Sequence, residues 1–401
     1  MLRQKIVYYL TFASIFLIPL SGIFPGPNIW YVQMIFLIGF LSAGVGLSLF
    51  EFNPWLCGLN LTATYSTLVT ANQGLRSLFF LFIFNLSSCA SMQISKLDKQ
   101  KRIYLIEGIV LLFAIQFLWV GLQFFNRDFI FDLGTNVNLD DTVAFSGSHN
   151  QMGLFFAITS PLVLSISPLL LILTVFAVCL SKTTSAYLGM AIGCSVYSWW
   201  TNKRNLLFIF IILTISSLIY FTKFEHNFYA PMQERIKLIK HSIHEVFTGI
   251  ALAKYDNGRL QPIQTRKFEG FGLGNFIAIS PHTQWRFMDV HPLYKGDSGN
   301  NPQHRYEHMH NDYMEIFYEM GVVGFIFTIG LVLSFFWEFI KSKKSLILVI
   351  SFCCILAQMV TALGIYTIYT AISGMLLIIF YGIFSAEIRE QIELNNVKKI
   401  S

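Results

Sequence analysis

Residues 96–125 read KLDKQKRIYLIEGIVLLFAIQFLWVGLQFF. Lys96, Lys99, Lys101 and Arg102 crowd the first seven positions, and the rest of the stretch carries a single charged residue, Glu107. A helix needs about 20 largely apolar residues to cross a hydrocarbon core of about 30 Å, and short basic loops stay on the cytoplasmic side of a membrane. This one stretch therefore predicts both a span, 103–124, and its direction. Composition agrees: of 401 residues, 54% are hydrophobic and 12% charged, against about 25% charged in ordinary globular chains.

Counting outward in both directions gives about twelve spans: 6–24, 29–48, 54–71, 76–93, 103–124, 149–165, 167–181, 185–200, 205–222, 319–340, 345–362 and 364–384. The opening MLRQKIVYYLTFASIFLIPL has the basic start of a signal peptide but no small-residue cleavage site follows, so it reads as a retained first helix. With twelve spans the other basic clusters, Arg3 with Lys5, TNKR (201–204), KSKK (341–344) and Lys398 with Lys399, fall on the same side as KLDKQKR. Both termini are then expected in the cytoplasm. These anchors account for much of the net charge of +6, so no nucleic-acid partner is implied. All six cysteines lie in or beside apolar spans, which indicates packing and no disulfide framework.

The chain divides into 1–222, with about nine spans; 223–318, a large extramembrane loop; and 319–401, with three closing spans. All nine histidines fall on the outer side, eight of them in the long loop, so any chemistry is expected there. Within the loop, 231–247 (PMQERIKLIKHSIHEVF) opens on Pro231, suited to a first helical position. Ile236, Ile239, Ile243, Val246 and Phe247 recur at helical spacing, with Lys237, Lys240, His241 and His244 opposite. Two readings fit this amphipathic helix: it lies on the membrane surface, or it packs on the rest of the loop. The run RKFEGFGLGNF (266–276) lacks the flanking strand and helix of a dinucleotide fingerprint; it reads as a tight turn whose Gly270, Gly272 and Gly274 let backbone approach a neighbour.

The titratable groups concentrate at HMHNDYMEIFYEMGVVGF (308–325). Asp312 followed by Glu315 has the spacing of a capping box, which places His310 and Asn311 just before a helix N-terminus. The helix dipole there attracts anions and keeps a nearby imidazole neutral, and a neutral imidazole can act as a base. Gly321 and Gly324, three apart, would let another helix come close. Glu307, His308, His310 and Asp312 could ligate a metal, but residues two apart share a face only in a strand, so no metal is assigned.

His310, Asn311, Gly321 and Gly324 form the pattern His-Asn, nine residues, Gly, two residues, Gly, and with it the chain resembles bacterial O-antigen ligases. The resemblance extends to length, span number and the position of the long loop, and includes the wider group of O-antigen polymerases and protein O-oligosaccharyltransferases. NGRLQPIQ (257–264) is similar to that family's Ser-Gly-Arg segment, which makes Arg259 a family arginine. LSKTTSAYLG (180–189) departs from the family's Ser-Arg with Thr183 and Thr184, and Lys182 offers a positive charge from the same edge. SGSHNQMG (146–153) is a looser match to a Gly-x-x-Asn stretch.

The resemblance implies an all-α polytopic membrane protein like the C-type glycosyltransferases, in the bacterial inner membrane, with one large periplasmic loop carrying the active site. It implies transfer of a glycan from undecaprenyl diphosphate to a hydroxyl of lipid A-core, with inversion and with no cofactor, metal or nucleotide. His310 would be the general base, with Asn311 orienting it or the acceptor. Arginine suits the diphosphate because its fork stays charged and bidentate: Arg259 first, then Arg235, Arg266 and Arg286, with Lys182 and Arg76 further candidates. Arg76 sits near the outer end of the fourth span, where a lipid diphosphate or snorkelling to the interface would satisfy it. Polymerase or protein O-oligosaccharyltransferase activity would use the same donor. A transporter of lipid-linked glycans would instead need ionisable groups near the membrane midplane, and this chain keeps its charges at span ends.

Overall fold

A computed structural model of the chain describes residues 2–20, 53–69, 74–125, 149–224, 229–254, 260–273, 276, 311–365, 367 and 370–400; within these, the side chains of Arg76, His149 and Arg235 fall outside the description. Among the described residues there are twelve α-helices: α1 (Leu2–Leu20), α2 (Pro54–Val69), α3 (Gly74–Ile94), α4 (Lys99–Phe124), α5 (His149–Ile166), α6 (Pro168–Leu180), α7 (Thr184–Thr201), α8 (Arg204–Phe224), α9 (Tyr229–Thr248), α10 (Asp312–Lys341), α11 (Leu346–Thr361) and α12 (Ala371–Ile400). Eleven of the expected spans have a helix; 29–48 lies outside the described residues. Among the described residues, three stretches, Lys99–Phe124, Asp312–Lys341 and Ala371–Val397, are long and apolar enough to cross a membrane. The last begins seven residues later than the span expected at 364–384. After Thr361 the chain turns, and buried Thr367, Thr370 and Ser373 bond one another instead of continuing a helix.

The structure adds an antiparallel hairpin to this helical frame. Strand β1 (Ile250–Lys254) pairs with β2 (Leu260–Gln264) in the register Ala251↔Ile263, Leu252↔Pro262. The connection between them, 255–259, lies outside the described residues. Neither IALAK nor LQPIQ alternates apolar with polar residues, which is why hydropathy does not register them.

The helices form two compact units. The first comprises residues 1–51, 86–224 and 336–401. Its centre is a close crossing of α7 and α11: a Cβ on Gly189 would lie 2.0 Å from Thr361 Oγ1 and 2.4 Å from the Ala357 carbonyl, and one on Gly193 2.9 Å from Ala357 Cβ. Small residues four apart let helix backbones approach this closely. At the basic end, Asp98 caps α4 by accepting from the Lys101 N–H at 2.9 Å, and hydrogen bonds from Lys101 hold its carboxyl below the usual range. Arg102 is no loop anchor. It is 1% exposed and donates to the Leu97 carbonyl at 2.7 Å, to Glu390 at 2.6 Å and to Glu387 at 3.2 Å. Glu387 also accepts from Ser345 Oγ at 2.6 Å, and that oxygen caps α11 through Leu348 N–H. A buried guanidinium thus ties the starts of α4 and α11 to α12, its charge compensated as burial demands.

The second unit comprises 52–85 and 225–335, so it joins the long loop to α2 and to the start of α10. Its core is Leu238, Val246, Ala251, Phe271, Phe276, Phe317 and Tyr318. Of the two readings of the amphipathic helix, these contacts match packing on the loop. Leu238, Ser242, Glu245 and Val246 of α9 are buried, whereas Ile236 and Phe247 are more than 40% exposed. The buried face is rotated from the one expected from the apolar spacing: it takes in Ser242 and Glu245, with His241 Nε2 3.3 Å from Glu245 Oε1 along the same helix.

Candidate functional site

In the second unit the site is built on the first turns of α10. Asn311 Oδ1 accepts the Met314 N–H at 3.1 Å, and its carbonyl accepts the Glu315 N–H at 3.0 Å. Asn311 is therefore the N-cap, one residue earlier than a capping box of Asp312 and Glu315 would place it. Asparagine caps as well as aspartate, and the shift leaves Asp312 and Glu315, both buried, at the positive end of the helix dipole. Asn311→Ala is expected to cost about 1 kcal/mol of stability, with Asn311→Ser restoring most of it, in denaturation of the detergent-solubilised protein.

Two turns on, α10 breaks. Gly321 has φ 70° and ψ −167°, a conformation open essentially to glycine alone. The break exposes backbone groups that the glycine-rich turn takes up: Phe271 N–H donates to the Tyr318 carbonyl at 3.0 Å, Gly272 N–H to the Glu319 carbonyl at 2.7 Å, and Val322 N–H to the Phe268 carbonyl at 2.9 Å. Gly270, itself at φ 78°, lies so close that a Cβ on it would be 2.4 Å from the Gly321 nitrogen. Gly321 and Gly324 consequently do not share one helical face. Gly321 admits the turn, and Gly324 faces α2, where a Cβ on it would lie 3.4 Å from Thr62 Cγ2.

Helix α2 closes the other side. Ser66 Oγ donates to the Glu319 carbonyl at 2.6 Å and reaches the Glu269 carbonyl at 3.1 Å; Thr67 Oγ1 accepts from Leu273 N–H at 3.2 Å; Tyr65 OH donates to Glu269 Oε1 at 3.0 Å. Glu319, fully buried, accepts the Phe276 N–H at 3.2 Å. Neither Ser66 nor Glu319 is among the residues selected from the sequence. The signal for Glu319 is an acid within an apolar run, which is rare unless the residue has a task.

Of the sequence-selected cations, Arg266 is at the edge of this site. Its side chain is 79% exposed, with Nη1 3.8 Å from Glu269 Oε1. Arg235 lies on α9 and Arg76 on α3, their side chains outside the description. His310, Arg259 and Arg286 lie outside the described residues, Arg259 in the connection between β1 and β2 and His310 immediately before the cap.

In the first unit the structure joins two stretches that are separate in the sequence. Thr183 Oγ1 donates to Asn150 Oδ1 at 2.9 Å, and a Cβ on Gly153 would lie 2.3 Å from Ser181 Oγ. The start of α5 and the α6–α7 turn therefore form one polar cluster. Lys182, half-buried at φ 54°, is at its corner.

Residues 169–329 match the family model described as O-antigen ligase, a stretch running from α6 to the middle of α10. It contains every selected residue except Arg76. No curated protein and no solved structure matches the chain.

Proposed function

With residues 169–329 carrying the O-antigen ligase family domain, we propose that this membrane protein transfers O-antigen polysaccharide from undecaprenyl diphosphate to a sugar hydroxyl of lipid A-core. The reaction takes place on the periplasmic side of the bacterial inner membrane, with both termini cytoplasmic. The observation that carries this reading is the family match, which spans the whole His310-to-Gly324 motif. The fixed start of α10 supports it, because Asn311 and the break at Gly321 hold the chain directly after His310 in one geometry.

The acceptor oxygen attacks the anomeric carbon as the bond from that carbon to the diphosphate oxygen breaks. The proton passes to the neutral His310 imidazole, and undecaprenyl diphosphate leaves. A single in-line step inverts the anomeric centre. Arg259 neutralises the developing charge, with Arg235, Arg266, Arg286, Lys182 and Arg76 as the further cations available. Asn311 is a positioning residue that acts through the helix cap. The reaction as written draws on no metal and no nucleotide.

The test is depletion of the protein from its host, followed by separation of the lipid-linked and lipopolysaccharide pools. A ligase leaves bare core while long chains stay on the carrier. Core capped by a single repeat would instead identify a polymerase, and unchanged pools would overturn both.

A further inference from the structure

Phe268 stands where its residue type is costly twice over. Its φ of 72° lies in the left-handed region that glycine enters freely and a bulky side chain rarely does, and its side chain is 45% exposed, so no core packing offsets the strain. The backbone pins it there: its N–H donates to the Val246 carbonyl at 3.0 Å, and its carbonyl accepts the Val322 N–H at 2.9 Å. Phe247, 47% exposed, meets the same ring edge-on at 5.2 Å. Two large rings of the second unit are thus paired with each other at its surface.

The position of this pair is set by α10. Residues 320–337 carry no charge; at the helical rise they extend about 27 Å, against about 30 Å for a hydrocarbon core. Val322 is near the start of that stretch, so its bond to Phe268 places the turn at one boundary of the apolar layer. From there Val323, Ile326, Ile329 and Leu333 are exposed at intervals of three and four residues, a single apolar face. Phe247 joins the helix through Phe317 at 6.3 Å, which is edge-on to Phe325 at 5.7 Å. Arg266 and Lys267, just before Phe268 in the chain, are exposed.

We propose that Phe247 and Phe268 insert into the phospholipid leaflet that borders the 223–318 loop, with Arg266 and Lys267 at the level of its phosphates. Aromatic rings are favoured at a membrane interface, and long basic side chains reach from an apolar layer to charged groups. Removing two rings from water offsets the strain at φ 72°. Lipid, in addition to hydrogen bonds, then holds the glycine-rich turn at the depth where it meets Gly321. Such an anchor requires only that α10 spans the bilayer and is independent of glycan transfer.

In the full chain in phospholipid nanodiscs, p-benzoylphenylalanine in place of Phe268 or Phe247 is expected to capture a phospholipid on irradiation, seen as an adduct of one lipid mass. The same probe in place of Leu333 sets the yield of a lipid-facing position. Trypsin gives a second reading, because cleavage after Lys267 in the nanodisc tracks the population in which the turn has lifted out. Phe247→Ala removes one inserted ring without altering the scissile bond and should speed that cleavage about tenfold, with Phe247→Trp restoring protection. A ring needed only for packing would be disrupted by the larger indole, so loss of protection in both variants would overturn the insertion, as would cleavage equal to wild type in Phe247→Ala. A lipid adduct at Leu333 with none at Phe268 and Phe247, or adducts to protein at those two positions, would overturn it as well. No adduct at any of the three would remove lipid from this face of α10 and the anchor with it.

Discussion

Gly321→Ala is expected to unfold the second unit's junction with α10. The φ and ψ at this position exclude side chains at a cost of about 1–3 kcal/mol. In addition, the new Cβ would sit 2.1 Å from the Phe268 carbonyl oxygen, the acceptor for Val322 N–H. Moving that carbonyl forfeits the bond, and a buried unsatisfied donor costs about 1–3 kcal/mol more. Together these are a large share of the about 5–15 kcal/mol that holds a typical domain. Limited proteolysis between residues 265 and 311 and a lowered midpoint in denaturation would report the loss. Gly270→Ala attacks the same contact from the other side, with its Cβ 2.4 Å from the Gly321 nitrogen. Residues sharing one contact are not additive, so the double variant should be little worse than either single one. Full additivity, or wild-type stability in Gly321→Ala, would show that the turn and the helix are not fastened at this point.

The second large effect concerns chemistry rather than folding. His310→Ala is expected to lower the rate of glycan transfer by about 10²- to 10⁴-fold, the usual contribution of a general base. Donor binding and denaturation midpoint should stay near wild type, because Asn311 and not His310 caps α10. The measurement is single-turnover transfer in vesicles across pH. A base works only when unprotonated, so the wild-type rate should fall on the acid side, and that limb should be missing from the residual activity of the variant. Retention of full rate would remove His310 from the mechanism.

Much of the fold is legible in hydropathy alone, because a membrane imposes a coarse rule that composition reports directly. The span expected at 103–124 corresponds to α4 within a few residues, and that at 185–200 to α7. The features that position the site are harder to read. The buried face of α9 includes Ser242 and Glu245, polar residues that an apolar pattern cannot assign to a core. The break at Gly321 depends on a turn some fifty residues earlier in the chain, and nothing within 312–341 announces that partner. The glycines of 266–276 are legible as a close approach, since glycine has few other reasons to cluster, but the surface they approach is not. Ser66 and Thr67 are lost in an apolar span because their work is done by one hydroxyl each.

Among the described residues, the seam between turn and helix is made mostly of main-chain amides and carbonyls, with side chains contributing at Tyr65, Ser66, Thr67, Glu269 and Glu319. Such a seam is indifferent to most of the letters written along it. Segments on either side can change while the glycine spacing keeps the splice in register. Loop exchanges between distant homologues should therefore succeed when cut outside 266–276 and fail when cut within it.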